Sequence, residues 1–89
     1  MKIKKDFVLR QAAGIWMVIP TGEECYNFNG VLSLTESGAL LWRQLEQGCE
    51  IADLVNALTD EYEVTREKAE ADAIKFTEKL MQIGCLEAD

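Results

Sequence analysis

Branched and aromatic residues cluster in short extended runs in the first third of the chain, whereas apolar residues recur at helical spacing in the rest. Two such runs, Phe7–Gln11 and Ile15–Pro20, are separated by a short turn and predict a β-hairpin. A third strand is predicted to end in Val31–Leu34. It is expected to be split or kinked at Asn29-Gly30, because Asn-Gly strongly favours a hairpin turn. The pattern therefore predicts a small three-stranded antiparallel sheet.

Three helices are predicted to follow this sheet. Thr35 is the expected N-cap of a first helix that runs to about Gln47, and Thr65 is the expected N-cap of a third helix that ends at Gly84. The second and third helices each carry an apolar stripe: Ile51, Leu54, Val55, Leu58 and Tyr62 in one, and Ala69, Ala73, Phe76, Leu80 and Ile83 in the other. A sheet with three helices on one face predicts an α+β fold of the winged helix-turn-helix type.

The composition is that of one ordinary globular domain over residues 1–89. Hydrophobic residues make up 48% of the chain and charged residues 28%, a balance that disordered tails lack. No apolar run approaches the roughly 18 residues of a membrane span. The basic start is not followed by the apolar segment and cleavage site of a signal peptide. We therefore expect a cytoplasmic protein that does not bind membranes.

The residue types in the chain exclude several kinds of catalysis. There is no histidine, so Cys–His and Ser–His–Asp catalysis are both excluded. The three cysteines are far apart and form no Cys-x-x-Cys motif, which disfavours a zinc site and predicts free thiols. We therefore expect a protein that is not an enzyme and that carries no cofactor or metal.

The charge distribution disfavours nucleic acid as a partner. The formal net charge is −7. In the predicted third helix the basic residues Arg66, Lys68, Lys75 and Lys79 are matched by the acidic residues Glu67, Glu70, Asp72 and Glu78. A helix without net positive charge on an acidic domain is a poor partner for phosphates. A winged-helix DNA-binding protein is therefore a disfavoured alternative.

Two features of the sequence favour a binding surface. The segments Cys25–Phe28 and Val31–Leu34 contain no lysine, proline or charge of the kind that protects a strand at a sheet edge from pairing. One side of the predicted third helix carries four charged residues, which are Lys68, Asp72, Lys75 and Lys79. These charges form either salt bridges on a solvated surface or a basic rim that steers an acidic peptide into a groove.

The two tryptophans are large aromatic side chains for so small a protein. Trp42 lies among leucines on the first predicted helix, so we assign it to the core. Trp16 lies on a predicted strand, and the sequence leaves open whether it packs in the core or stacks on a ligand.

The order and spacing of these segments resemble the PqqD-like family, the small peptide-binding chaperones also known as RiPP recognition elements. The resemblance covers about Phe7 to Glu87. It rests on the segments LSLTESGALLWRQLEQG, IADLVNALTDEYEV and ADAIKFTEKLMQIGCLE, which follow a start with two strands. The resemblance implies a winged-helix fold with three strands and three helices.

The resemblance also implies a carrier function without catalysis. In this family the leader segment of a ribosomally synthesised precursor peptide adds as a β-strand to the third strand, against the third helix. The carrier then presents the leader to a modifying enzyme, often a radical S-adenosylmethionine (radical SAM) protein. The residues expected to contact the peptide here are Tyr26, Phe28, Val31, Leu32, Ser33, Leu34, Ala69, Asp72, Ala73, Lys75, Phe76 and Lys79.

Three points stay open at the level of sequence. The segment between Pro20 and Val31 is longer than is usual in the family, so either Cys25–Phe28 or Val31–Leu34 is the docking edge. A docking or regulatory subunit of an enzyme complex, which binds no peptide, is an alternative function for an acidic helical surface. The chain is expected to be a monomer or a weak homodimer that pairs edge to edge.

Overall fold

Three β-strands lie side by side in an antiparallel sheet in the computed structural model, which describes residues 1–22 and 32–87. The strands are β1 (Lys2–Ile3), β2 (Phe7–Ala12), β3 (Ile15–Pro20), β4 (Leu32–Leu34) and β5 (Leu86–Glu87), and the helices are α1 (Glu36–Gln47), α2 (Ile51–Glu61) and α3 (Arg66–Ile83). The sheet has the order β2-β3-β4, and the three helices follow it in the chain. These observations confirm the predicted α+β fold of winged-helix type. The predicted turn at Asn29-Gly30 lies outside the described residues.

The register of the sheet directs one face of β4 toward the helices. β4 pairs with β3 so that Leu32 lies opposite Val18 and Leu34 lies opposite Trp16. Side chains of directly opposed residues share a face of the sheet. Val18 is fully buried, and both leucines are half-buried against the core. Ser33, between the two leucines, is exposed.

The predicted hairpin is confirmed, and its turn contains a strained residue. Between β2 and β3, Ala13 has a φ of 52° and Gly14 a φ of 78°. A two-residue turn with positive φ at both positions matches the twist of the flanking strands and favours Asn-Gly. Alanine at the first position costs about 1 kcal/mol or more, because its Cβ crowds the backbone in the left-handed conformation.

We therefore expect Ala13→Asn to increase the free energy of unfolding by about 1 kcal/mol, since asparagine tolerates the left-handed region. Urea denaturation checks this change. The control is Ala12→Asn, at the exposed last residue of β2, where asparagine has no such advantage and strand propensity disfavours it. Equal effects of the two substitutions would contradict the role of the turn.

The helix ends follow the capping signals of the sequence. The side-chain oxygen of Thr35 accepts a hydrogen bond from the backbone N–H of Gly38 at 3.1 Å. The side-chain oxygen of Thr65 accepts one from the N–H of Lys68 at 3.2 Å. At the other end of α3, Gly84 adopts a left-handed conformation with a φ of 96°. Both predicted N-caps and the predicted end of α3 are thus confirmed.

The core lies between the sheet and the helices. Its largest fully buried side chains are Trp42, Leu45, Leu54, Leu80, Val18 and Cys85. The assignment of Trp42 to the core is confirmed. The predicted stripe of α2 is wrong at Tyr62, which is 37% exposed. The backbone of Tyr62 is already extended, with φ −127° and ψ 152°, because α2 has ended one residue earlier.

A second, two-stranded sheet, which the sequence pattern does not predict, joins the two ends of the described chain. β1 pairs with β5 in antiparallel fashion, with Ile3 opposite Leu86, and both side chains are buried. The sequence pattern predicts no strand after Gly84. Two-residue strands are too short to show a period, so only the contact between the two ends of the described chain reveals them.

The cysteines in the described part of the chain are free. Cys49 is half-buried and Cys85 is buried. Burial raises the pKa of the Cys85 thiol to about 11, and it also raises the pKa of Cys49. At neutral pH both are therefore protonated, weakly reactive thiols that pack as small apolar side chains. Within the described residues no helix is long and apolar enough to cross a membrane.

Candidate functional site

The outer edge of β4 is open within the described part of the chain. β4 is the last strand in the order β2-β3-β4, and no strand from residues 1–22 or 32–87 pairs with its other side. An open edge presents backbone N–H and C=O groups that can pair with an added strand. The edge carries no charged side chain, since its three residues are Leu32, Ser33 and Leu34.

A groove of about 170 Å³ runs beside this edge, between β4 and α3. Ser33 and Leu34 line it from the strand, and Asp72, Phe76 and Lys79 line it from the helix. The floor is apolar and the rim is polar. We call this space the β4–α3 groove.

One lining residue of this groove, Gly38 of α1, has no side chain. A Cβ placed on Gly38 would lie 3.4 Å from the Cβ of Leu34, from Cε1 of Phe76 and from Oγ1 of Thr35. Gly38 therefore lies directly beside both β4 and α3, with room for little more than a methyl group. Glycine within a helix costs roughly 1 kcal/mol relative to alanine. The backbone of Gly38 does not need glycine, since its φ is not positive; what glycine provides here is space.

The exposed side of α3 extends the groove. Asp72, Lys75, Phe76 and Lys79 surround an adjoining depression of about 220 Å³, which shares three of these residues with the β4–α3 groove. Phe76 is half-buried, and the three charged residues around the depression are exposed. An apolar ring between two ammonium groups is suited to a segment with an apolar side chain and nearby acidic groups.

The charges on this side of α3 are only partly paired with each other. Lys68 forms an ion pair with Asp72 at 3.5 Å, and both side chains are at least half exposed. This pair agrees with the predicted surface salt bridge and contributes little to stability. Lys75 and Lys79 form no ion pair with a carboxylate in the described residues. Their charges therefore remain available to a ligand.

The structure divides the predicted contact residues into three groups. Ser33, Leu34, Asp72, Lys75, Phe76 and Lys79 line the groove or its extension, and Leu32 lies at the same strand edge. Ala69 and Ala73 have no exposed surface and pack in the core, so they support α3 from within and offer nothing to a ligand. Tyr26, Phe28 and Val31 lie outside the described residues.

Several lining residues were not predicted as contacts. They come from the start of α1 and from α2, and they are Thr35, Ser37, Gly38, Leu41 and Leu58. Local periodicity assigns these positions to a cap, a helix surface or the core, and it carries no signal of a groove. Gly38 could have signalled the groove, because glycine inside a helix is unfavourable and is often kept where space is needed.

A family model matches residues 14–86 of the chain, and it is described as Coenzyme PQQ synthesis protein D (PqqD). Because the match spans most of the sequence, the chain belongs to this family. The resemblance that we found in the sequence is thereby confirmed. No curated protein matches the chain at a significant level.

Two solved structures share the fold over nearly the whole chain. The structure of TbiB1 in complex with the TbiA(beta) leader peptide has a TM-score of 0.80 and 26% sequence identity, and the match covers 100% of both chains. A lasso peptide synthetase B1 complexed with the leader peptide has a TM-score of 0.75 and 25% identity, and it covers 94% of this chain and 93% of that one. Both similar proteins were thus solved with a leader peptide bound.

Proposed function

We propose that this protein binds the leader segment of a ribosomally synthesised precursor peptide and presents it to a modifying enzyme. The leader adds as a β-strand to the outer edge of β4 and lies in the β4–α3 groove. The observation that carries the proposal is an uncharged edge, Leu32–Leu34, that no strand in residues 1–22 or 32–87 pairs with, beside a groove lined by Phe76. Family membership and the two similar leader-peptide complexes support it.

The chemistry of the groove matches such a ligand. Backbone hydrogen bonds along β4 give affinity for many sequences, and the pocket around Phe76 selects among side chains. Three such bonds at about 1 kcal/mol each, and one buried apolar side chain at about 1.5–3 kcal/mol, sum to roughly 5–6 kcal/mol before ordering costs, so we expect affinity weaker than micromolar. This affinity suits a carrier that has to release its peptide.

The geometry of the groove supports the contacts that we propose for the leader. Leu32, Ser33 and Leu34 supply the strand edge, Phe76 supplies the apolar contact, and Asp72, Lys75 and Lys79 supply the charged rim. Contacts by Tyr26, Phe28 and Val31 remain predictions. The carrier acts by binding and does not catalyse a reaction. The enzyme that accepts the leader is a peptide-modifying enzyme, and a radical SAM protein is one candidate.

Titration of the isotope-labelled protein with the leader half of a precursor peptide encoded beside it tests this function. We expect amide-shift changes at Leu32–Leu34 and on the side of α3 that carries Phe76, and small changes on α2. Changes confined to α1 and α2, or no changes at saturating peptide together with binding of the neighbouring enzyme, would favour a docking subunit instead.

The two unpaired lysines of the rim should govern the rate of association. We expect the double substitution Lys75→Glu and Lys79→Glu to slow leader association about tenfold or more at low salt and to affect dissociation less, because rim charges act mainly by steering. Stopped-flow measurements at two ionic strengths check this expectation.

The matched control reverses two lysines elsewhere on the surface. Lys2→Glu with Lys5→Glu changes the net charge by the same amount, and both residues are exposed and line neither part of the groove. If the two double variants slow association equally, net charge alone is responsible and the rim has no special role.

A further inference from the structure

A second groove, of about 250 Å³, lies along a different face of α1. It is lined by Trp16 of β3, by Glu36 and Arg43 of α1, and by Glu61 and Tyr62 at the end of α2, among others. It shares no lining residue with the β4–α3 groove. The helical period explains the separation, because residues 36, 40 and 43 lie on nearly the opposite side of α1 from residues 37, 38 and 41. A leader bound beside β4 therefore leaves this second groove free.

The walls of the second groove are aromatic. The guanidinium carbon of Arg43 lies 4.5 Å from the centroid of the Trp16 ring, within the range of a cation–π interaction. No carboxylate in the described residues forms an ion pair with Arg43, so its main contact is the indole. Arg43 thus covers one face of Trp16 and holds it at the wall. Tyr62, on the other wall, is 37% exposed.

The charged side chains that line this groove are net negative. Two exposed carboxylates, Glu36 and Glu61, outnumber the single guanidinium of Arg43. The groove lies between the C-terminal end of α2, where the dipole is negative and no basic residue occupies the last turn, and the first turn of α1, where Glu36 offsets the positive dipole end. Two further acidic residues, Asp60 and Glu63, directly flank Glu61 and Tyr62 in the sequence. A cationic group is the ligand that this combination favours.

Arginine fits the groove better than lysine. A planar guanidinium can stack on the exposed ring of Tyr62 while its N–H groups donate to Glu61 and Glu36. An ammonium group can satisfy one of these contacts well but not both together.

We propose that this second groove docks an arginine side chain on the surface of the enzyme to which the leader is presented. The inference rests on the proposed function, because a carrier with an occupied leader groove needs another surface to contact its enzyme. The enzyme is thereby predicted to present an arginine within a basic patch, complementary to the acidic carrier.

The test uses N-acetyl-arginine methylamide as the probe and N-acetyl-citrulline methylamide as its neutral isostere. In an amide-shift titration of the full chain, we expect the arginine probe to shift the indole N–H of Trp16 and the amide of Tyr62, and we expect citrulline to leave both unchanged. Glu61→Gln should weaken the response about threefold, the size expected of one exposed charge pair. Glu46→Gln, which removes a carboxylate from α1 outside this groove, should not weaken it.

Equal shifts with the two probes, or equal losses in the Glu61→Gln and Glu46→Gln variants, would overturn the inference. A leader titration of the same samples separates this outcome from failure of the proposed function. Leader shifts at Ser33 and Phe76 without an arginine response would leave the proposed function intact and would show that the second groove does not dock arginine. An arginine response without leader binding would instead remove the assignment to a leader-modifying enzyme.

Discussion

Gly38→Leu is expected to weaken leader binding strongly while the protein stays folded. A Cβ at this position already meets Leu34, Phe76 and Thr35 at 3.4 Å, so a leucine would occupy the space between β4 and α3. The smaller change Gly38→Ala should weaken binding only a few-fold or less, because its Cβ would reach ordinary contact distance with these atoms. Gly38→Leu adds three more carbon atoms, and overpacking of roughly 1–3 kcal/mol should weaken binding by about a hundredfold. Isothermal calorimetry with the leader peptide measures both changes.

Stability measurements keep this result interpretable. Alanine and leucine favour a helix over glycine by up to about 1 kcal/mol, which offsets part of the crowding. The matched control is Ser37→Ala, one residue earlier on α1, which also lines the groove but adds no atoms to it. If Gly38→Leu unfolds at the same urea concentration as the original protein and binds the leader equally well, the β4–α3 groove is not the binding site.

Trp42→Ala is expected to cause the largest loss of stability. Trp42 is the largest of the fully buried side chains, with no exposed surface. Truncation of a buried aromatic residue to alanine costs about 3–5 kcal/mol, a large part of the 5–15 kcal/mol that stabilises a typical domain. The variant should therefore be partly unfolded at room temperature, as circular dichroism and urea denaturation will show.

Trp42→Phe should lower the free energy of unfolding by much less than the lost side-chain volume suggests. The indole N–H of Trp42 is buried and has no hydrogen-bond acceptor among the described residues. An unsatisfied buried donor costs about 1–3 kcal/mol, and phenylalanine removes it. The half-buried Trp16 serves as the reference, since Trp16→Phe loses area without relieving any such cost. A loss for Trp42→Phe as large as for Trp42→Ala would contradict this account of the indole.

The helices were predictable because their signals are local. Thr35 and Thr65 cap within three residues of themselves, and the stripe Leu54, Val55 and Leu58 repeats within two turns. The hairpin between β2 and β3 was predictable for the same reason, since its turn has two residues. The error at Tyr62 arose because a repeat in sequence does not show where a helix stops. Hydrogen bonds at the end of the helix decide that point.

The two ends of the described chain were not predictable, because their structure depends on contact over a long distance in sequence. Lys2–Ile3 forms a strand only where Leu86–Glu87 lies beside it. The same limit applied to Ala69 and Ala73, which were predicted to contact the peptide. They share the apolar stripe of α3 with Phe76, but packing buries the alanines and leaves Phe76 at the border of the groove.

The sequence alone determined the order of the three-stranded sheet and the three helices, the helix caps, the burial of Trp42 and the membership of a family. Each of these depends on residue type and short-range periodicity. Only the tertiary structure decided which side chains face the β4–α3 groove, why Gly38 has no side chain there, and how Trp16, Arg43 and Tyr62 form a second groove. Such spaces arise between elements that are distant in sequence, so their shape depends on packing angles and registers that no local pattern records.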